Sequence, residues 1–419
     1  MRLPSLNVQI LAAAVFGALA GAYLNHQGSD SPEQQSLLPV LQLTGGLFVD
    51  LLKMVLIPLV FTSVASGVAS LGGHEHSGRI WRSTLIYYLG TTALAAVLGL
   101  ILMNVFEPGK GLQINLFDQA MSSMNRPDNL TLPEFLHTFL RSIFVSPVKA
   151  MAEGAVLPTV IFALLLGLSI ARRGEGADAL RNLLSEVLEV VLVMVDWIMR
   201  IAPVGVFALL AHLVATQQAG LFANLALFIA VTMGGLFAHG LIVLPGILLL
   251  TTGTKPWGFF RSIQEALLTA FATCSSSATL AVTMRVAREH LRVAPRIAKF
   301  ILPLGATVNM DGTALYEAGA ALFVANLAGI DLNVLQQGVV CLMAILASIG
   351  APGLPSAGMV TMIMVLQSVG LPIEAIAILL PVDRLIDAVR TAINVEGDLV
   401  GSVVIDHFSR QASLDHRSD

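Results

Sequence analysis

The chain has 419 residues, of which 56% are hydrophobic and only 12% are charged, and its formal net charge at pH 7 is −4. The charged share is about half that of soluble domains, and the mean hydropathy is +0.81, which excludes an ordinary soluble protein and predicts an all-α membrane protein. The two cysteines, Cys274 and Cys341, lie in apolar surroundings, which excludes a disulfide framework and a cysteine-based metal site.

Apolar segments of about 20 residues are long enough to cross a bilayer as helices. The first has no small-residue cleavage site after it, so we interpret it as a retained helix rather than a signal peptide. The segment 134–171 is too long for one span and contains Pro147, Gly154 and Pro158, which predicts a broken helix. The segments lie near 8–25, 38–71, 83–106, 134–171, 184–214, 221–251, 296–327, 334–368 and 373–407.

The placement of arginine and lysine predicts the topology, because cytoplasmic loops are enriched in basic residues. The loops 72–82, 172–183, 253–262 and 285–299 are basic, as is the tail after His407. The segments 26–37 and 329–333 carry no basic residue, and 107–133 carries two. We therefore expect a multi-pass protein of the cell (inner) membrane with both termini cytoplasmic.

Two apolar segments differ from simple spans. Both flanks of 263–284 are basic, so it should enter and leave on the cytoplasmic side, and a serine-rich stretch interrupts its centre. The segment 334–368 has base-free flanks and is interrupted at 348–358 by three glycines and two prolines. Irregular backbone at membrane depth lines cavities, and inverted repeats bring such helix ends to a midplane site. The sequence therefore predicts eight transmembrane helices and two re-entrant helical hairpins.

A stripe of polar side chains runs along the last apolar segment. Its members, Asp383, Asp387, Arg390, Asn394 and Asp398, fall within an arc of roughly 80° on one helix face. Ionisable groups at membrane depth are costly, and they mark a substrate or ion pathway. The alternatives are a self-neutralised ion-pair network that locks helices together, or a soluble amphipathic helix.

A second polar motif, Asn-Met-Asp-Gly-Thr at 309–313, interrupts the segment 296–327. Its glycine weakens a helix and frees backbone carbonyls. Hard cations are held by carbonyl, carboxylate and hydroxyl oxygens, which this motif offers together with Asn394 and Asp398. A divalent-metal site is disfavoured because no His or Cys is expected to join the cluster. The alternative is a structural kink with capped polar groups.

Arg390 is the best anchor for a carboxylate, because its planar fork favours bidentate binding. Asp387, one turn away, either neutralises Arg390 or receives a substrate ammonium group. With helix N-termini and serine hydroxyls at the hairpin tips, this pair would hold a zwitterion with an additional acidic side chain. The electrostatics therefore favour an acidic amino acid over a sugar or a metal.

These motifs resemble the glutamate transporter family, the dicarboxylate/amino acid:cation symporters that include archaeal aspartate transporters and animal excitatory amino acid transporters. Four motifs carry the resemblance in the family's order: the serine-rich tip at 275–277, the motif at 309–313, the tip at 350–358, and Asp-x-x-Arg-Thr-x-x-Asn-x-x-Gly-Asp at 387–398. The resemblance implies sodium-coupled uptake of L-aspartate or L-glutamate by a homotrimer in the lipid bilayer, with no enzymatic activity and no nucleic-acid partner.

The resemblance also implies an elevator fold with a scaffold and a moving transport domain. The expected divisions are scaffold helices 1 and 2 at 1–80, transport helix 3 at 81–106, an extracellular loop with scaffold helices 4 and 5 at 107–220, transport helix 6 at 221–252, the inner hairpin at 253–295, helix 7 at 296–328, the outer hairpin at 329–371, and helix 8 with a cytoplasmic tail at 372–419.

The substrate pocket implied by the resemblance draws on both hairpins and the last two helices. Arg390 is expected to bind the side-chain carboxylate of the substrate, and Asp387 its amino group. The other expected contacts are Asn394, Thr391, Thr313, Ser275, Ser276, Leu354 and Gly358.

The resemblance further implies three sites for co-transported Na⁺. The first combines Asp398 with carbonyls of Gly305, Asn309 and Asn394. The second, under the outer hairpin, uses carbonyls of Thr307, Ser348, Ile349 and Ala351, with Met310 nearby. The third combines Asp311 and Asn309 with Tyr88, Thr91 and Thr92.

The chain departs from the family's pattern at two positions and follows only its animal members at a third. Archaeal members often carry an arginine at the inner hairpin tip, where this chain has Cys274, and animal members carry it beside the binding aspartate, where this chain has Ala388. Glu317 follows the animal pattern, in which the carboxylate is linked to proton and potassium handling. A buried carboxyl group suits proton carriage, although a permanently protonated glutamic acid that only donates a hydrogen bond is the alternative.

Three other functions remain open from the residues alone. A neutral amino acid or dicarboxylate symporter would share the fold, although Arg390 argues against a neutral substrate. A substrate-gated anion-conducting channel would share the motifs but could not concentrate its substrate. An intramembrane enzyme is disfavoured, because no Ser–His or Ser–Lys dyad is expected at membrane depth and the histidines, except His212 and His239, sit toward loops or helix ends.

Overall fold

The computed structural model of the chain describes residues 6–28, 31–69, 78–112, 141, 144–216, 219–350 and 357–418. All regular secondary structure in these ranges is helical, which confirms the predicted all-α class. The α-helices are α1 (Leu6–Gln27), α2 (Pro32–Ala69), α3 (Gly78–Phe106), α4 (Pro147–Ala152), α5 (Val156–Arg173), α6 (Asp178–Arg200), α7 (Ala202–Thr216), α8 (Ala219–Ala238), α9 (Leu244–Thr252), α10 (Pro256–Thr273), α11 (Ser276–Glu289), α12 (Pro295–Val308), α13 (Asp311–Leu327), α14 (Val334–Gly350), α15 (Ala357–Ser368) and α16 (Ile376–Ser418).

Several helices have the length and apolarity of membrane spans. Within the described ranges, four segments qualify: Val8–Gln27, Pro32–Ala69, Ile80–Phe106 and Gly220–Thr252. The run Leu157–Arg200 together with α7, bent by 51°, adds a fifth if the pair forms one span. The total of eight spans stays a prediction. The expected break within 134–171 falls between α4 and α5, where Gly154 has a φ of +70°.

The helices pack in two groups. In the first, α2 contacts α1, α5, α6 and α7, and α1 packs along α7. The second group consists of α3 and α8 to α16, with α13 and α16 at its centre. The groups meet where α16 contacts α7 and where α14 and α15 contact α2. The site residues therefore lie in the second group.

The helices α10 and α11 form an antiparallel hairpin. The chain turns at Cys274, whose φ is +51°, and the hydroxyls of Thr273 and Thr279 lie 3.1 Å apart across the turn. Ser275 caps α11 by accepting a hydrogen bond of 3.1 Å from the Ala278 N–H, which satisfies one of the unpaired donors of a helix start. Further from the turn, His290 Nδ1 lies 3.1 Å from the Ser262 carbonyl. Whether this hairpin re-enters a bilayer stays a prediction.

A second pair of helices, α14 and α15, also pack against each other. The predicted tip of the outer hairpin falls mostly on residues 351–356, so Ala351 and Leu354, the predicted cation and substrate contacts there, lie outside the described residues. Gly358, in the first turn of α15, is described and buried.

The segment 296–327 is interrupted where the Asn-Met-Asp-Gly-Thr motif begins. Asn309 and Met310 have non-helical φ values of −99° and −128° and separate α12 from α13. The helix α13 is buried on all sides from Asp311 to Ala325, as expected of a central helix without a polar face. Its N-terminus is thereby held in the interior, beside α3 and α16.

Candidate functional site

The polar stripe of α16 faces the protein interior. Asp383, Asp387, Arg390, Asn394 and Asp398 are each at most 3% exposed. Burial of charged groups is costly unless they are paired and hydrogen-bonded. The stripe therefore requires partners on α16 itself and on the helices around it, and these partners fall into two clusters.

The first cluster surrounds Arg390. Its Nη2 donates to Asp387 Oδ1 at 2.5 Å, and its Nη1 donates to Asp383 Oδ1 at 3.3 Å. The guanidinium carbon lies 5.0 Å from the centre of the Tyr316 ring, a cation–π distance. The predicted carboxylate anchor is thus paired with aspartates one and two turns away on its own helix, and these ion pairs neutralise its charge without joining α16 to another helix.

Arg390 also lies directly against the first turn of α15. A Cβ atom added at Gly358 would stand 2.6 Å from Arg390 Nη1. A Cβ there would require the guanidinium to shift, so the glycine permits this close approach of α15. The structure therefore brings together two predicted site residues, Arg390 and Gly358, from different elements.

The sequence analysis placed Asp383 in the polar stripe but not in the substrate pocket, and it missed Arg384. Arg384 is 8% exposed, and its Nη1 lies 3.5 Å from Asp387 Oδ2. The spacing of Arg384 and Asp387 in the sequence could have indicated this contact, because residues three apart on a helix are neighbours. Asp387 is consequently contacted by two arginines, one at each carboxylate oxygen.

Asn394 joins α16 to the first turn of α13. Its Oδ1 accepts a hydrogen bond of 2.8 Å from the Gly312 N–H, and its Nδ2 donates to Thr313 Oγ1 at 3.3 Å. Thr391, Ser275 and Ser276 are buried. The structure thus brings the predicted site residues Asn394 and Thr313 together, whereas the hydroxyl of Ser275 is used to cap α11.

The second cluster surrounds Asp311, at the N-terminus of α13. Its Oδ1 accepts hydrogen bonds from Thr91 Oγ1 at 3.1 Å and from Thr92 Oγ1 at 2.8 Å. Thr91 Oγ1 also lies 3.5 Å from Asn309 Oδ1. The structure thus brings these four residues of the expected third cation site together.

Asn309 links this cluster to Asp398. Its Nδ2 donates to Asp398 Oδ1 at 3.0 Å, and Asp398 and the Tyr88 hydroxyl both press against Gly305, where a Cβ would collide with them. The Tyr88 hydroxyl donates to the Ile301 carbonyl at 2.9 Å. The residues expected at the first and third cation sites therefore form one continuous buried network, with carboxylates at each end.

One statement made from the sequence is wrong: a histidine does join this network. His239 is fully buried, and its Nε2 lies 3.0 Å from Asp311 Oδ2. It begins the π-helix His239–Val243 between α8 and α9, and π-helical turns are frequent at functional sites. Even so, among the described residues no group of three or more His, Cys, Asp or Glu is arranged to hold a metal ion.

The residues expected at the second cation site are distributed over two helices. The Thr307 hydroxyl donates to the Leu304 carbonyl at 3.0 Å in α12, and the Ser348 hydroxyl donates to the Ile345 carbonyl at 2.7 Å in α14. Ile349 follows in the last turn of α14. Met310 is buried, and its sulfur lies 3.9 Å from Thr313 Oγ1.

Glu317 connects α13 to the outer hairpin. It is fully buried, and Thr361 of α15 donates a hydrogen bond to its Oε1. Its Oε2 has no hydrogen-bond partner within the described part of the chain. Since Thr361 also contacts the Gly358 carbonyl at 3.1 Å, Glu317 is tied to the same turn that covers Arg390.

Comparison with known proteins matches this chain to transporters over almost its full length. The sodium:dicarboxylate symporter family profile matches residues 6–408. An excitatory amino acid transporter of Caenorhabditis elegans is 34% identical, over 98% of this chain and 88% of the relative. Mouse excitatory amino acid transporter 3 is 35% identical, over 88% and 79%. Human excitatory amino acid transporter 2 is 33% identical, over 96% and 79%.

Proposed function

This chain belongs to the sodium:dicarboxylate symporter family and is a transporter rather than an enzyme, and we propose that it carries L-aspartate or L-glutamate across the membrane by symport with Na⁺. Its family and its long apolar helices make it a multi-pass membrane protein. The observation that carries the proposal is Arg390, buried under Gly358 and held by Asp387 and Asp383.

The substrate replaces the internal ion pairs of Arg390. The side-chain carboxylate takes the guanidinium fork from Asp383 and Asp387, and the substrate amino group takes the freed Asp387 carboxylate. At Asp387 the exchange substitutes one charged partner for another, so this buried carboxylate stays paired. Asp383 loses its ion pair with Arg390 in the same exchange. Thr391, Asn394, Thr313 and the hairpin tips contact the amino and main-chain carboxylate groups.

Sodium binds within the network of Asp311, Asn309 and Asp398. Carboxylate, amide, hydroxyl and carbonyl oxygens suit a hard monovalent cation. The network touches the substrate site through Asn394, whose amide bonds both Gly312 and Thr313. Occupation of the cation sites therefore orders the first turn of α13 and raises substrate affinity, and the substrate raises cation affinity by the same factor.

Transport follows an elevator movement in a homotrimer with both termini cytoplasmic. The separate packing of α1, α2, α5, α6 and α7 supports a scaffold against which the remaining helices slide. The outer hairpin, with Gly358 over Arg390, closes the site before the movement. Differential binding supplies the coupling, because a ligand shifts a conformational equilibrium only by its difference in affinity for the two states.

Uptake of radiolabelled L-aspartate into proteoliposomes tests the proposal. An inward Na⁺ gradient is expected to drive accumulation above the external concentration. A substrate-gated anion channel would only equilibrate aspartate, and a neutral amino acid or dicarboxylate symporter would accumulate L-serine or succinate instead. Accumulation that does not depend on Na⁺ would contradict the cation assignments at Asp311 and Asp398.

Arg390→Ala tests the pocket. Removing one partner of a buried ion pair costs roughly 2–5 kcal/mol, so kcat/KM for aspartate should fall about 30-fold or more while transport of small neutral amino acids persists. Arg200→Ala is the matched control, because Arg200 is exposed on α6 and pairs with Asp196. Unchanged aspartate uptake by Arg390→Ala would refute the pocket.

The same vesicles decide the role of Glu317. If internal K⁺ or an inward proton gradient raises uptake, Glu317→Gln should abolish that increase and leave Na⁺-driven exchange intact, because glutamine keeps the hydrogen bond with Thr361 but cannot carry a proton. A wild-type protein indifferent to both gradients would make Glu317 a structural group.

A further inference from the structure

Arg384 occupies the charge cluster of α16 without a role in the family's pattern as set out above. It is 8% exposed, and its Nη1 lies 3.5 Å from Asp387 Oδ2, on the carboxylate edge opposite Arg390. Its Nε has no hydrogen-bond partner in the part of the chain that the structure describes. A buried guanidinium with an unused donor is costly, so a purely structural account of Arg384 is incomplete.

The charges in direct ion-pair contact balance only when Arg384 is counted. Asp383, Asp387 and Arg390 alone leave one net negative charge, whereas the four residues together have a formal charge of zero. An acidic amino acid carries one net negative charge, and repulsion between buried charges is strong because the local dielectric is low. A site without Arg384 would therefore oppose an acidic substrate and favour a neutral one.

Arg384 also keeps the Asp387 carboxylate in an ion pair when the substrate engages Arg390. The guanidinium of Arg390 then leaves Asp387, and Arg384 is the ion-pair partner that stays on this carboxylate. Cys274 and Ala388 supply no charge, although Cys274 lies within electrostatic range of Asp387 and of both arginines.

We propose that Arg384 is a specificity-determining residue, which holds Asp387 and supplies the second positive charge that lets this site accept an acidic rather than a neutral amino acid. The inference rests on the proposed function and assigns a part in it to Arg384, which is not among the residues that the family resemblance implies.

The test measures kcat and KM for L-aspartate and L-serine in proteoliposomes containing the full chain. Arg384→Gln is expected to raise KM for aspartate about tenfold or more relative to serine, because glutamine keeps a donor near Asp387 but not the charge. Arg384→Lys should keep most of the aspartate preference. Adding Cys274→Arg to Arg384→Gln should restore it, because a cation returns to the same cluster.

The substrate ratio separates specificity from structure. If Arg384→Gln lowers transport of both amino acids equally, or leaves the ratio unchanged, the proposal is wrong. If Arg384→Gln does not yield folded protein, Cys274→Arg in the otherwise unaltered chain takes its place. An increased aspartate preference then supports the charge argument, and an unchanged one contradicts it. A wild-type protein that fails to accumulate aspartate overturns the proposed function itself, a result distinct from either outcome for Arg384.

Discussion

Both oxygens of the Asp311 carboxylate are held by side chains from other helices. Oδ1 accepts from Thr91 and Thr92 of α3, and Oδ2 contacts His239. Such outer partners fix the orientation of a cation ligand, and their loss typically weakens ion binding by about 10- to 100-fold at metal sites. His239 is therefore a positioning residue for the proposed cation site.

His239→Ala is expected to raise the Na⁺ concentration for half-maximal aspartate uptake by about tenfold. His239→Gln should retain more of the wild-type Na⁺ affinity, because its amide can still reach Asp311. The matched control is His212→Ala, at a partly buried histidine of α7 in the other packing group. Equal Na⁺ dependence in His239→Ala and the wild type would show that Asp311 needs no support from His239.

At the scale of single elements, the close approach of α3 to α13 brings Thr91 and Thr92 to Asp311. This approach is possible because Gly99 lies against the backbone of Leu315, where a Cβ would stand 2.5 Å from the carbonyl oxygen. Backbone atoms cannot move aside as a flexible side chain can. The sequence-distant threonines therefore depend on a glycine two turns further along α3.

Gly99→Ala should destabilise the protein by about 1–3 kcal/mol through overpacking and lower its unfolding temperature in detergent. Gly90→Ala in the same helix is the control, since a Cβ at Gly90 meets nothing within 4 Å, and alanine favours a helix over glycine. A similar unfolding temperature for both variants would mean that α3 is free to shift away from α13.

At the scale of the whole molecule, one ion pair joins the two packing groups across their boundary. Lys53 of α2 lies 3.9 Å from Glu374, just before α16. Within the second group, Asn104 of α3 and Gln337 of α14 exchange hydrogen bonds of 2.8 and 3.2 Å. The first contact crosses the boundary between the two packing groups, whereas the second pair of contacts lies within one group.

A short bis-thiol cross-link between cysteines introduced at 53 and 374 is expected to arrest transport, because the proposed movement requires the groups to slide. The same cross-link between cysteines at 104 and 337 should leave transport largely intact. Single-cysteine variants control for reaction at Cys274 and Cys341. Full transport with the 53–374 cross-link in place would exclude an elevator movement at this boundary.

The sequence by itself determined the helical class, an interruption at the motif 309–313, the polar stripe of α16 and the family. Each depends on local information: apolar length, a short motif that weakens a helix, or a spacing that repeats along one helix. The pairing of Arg384 with Asp387 was also within reach of such reasoning, because the two residues lie three positions apart on the same helix. The residue roles in substrate and cation binding stay predictions.

Only the tertiary structure decided which distant side chains meet. His239 and Asp311 are 72 positions apart, and neither helical spacing nor composition predicts that pair. The contacts of Glu317 with Thr361 and of Gly358 with Arg390 likewise depend on how α13, α15 and α16 pack. The physical reason is that a buried polar group must find a partner, but packing among several helices selects which partner it finds.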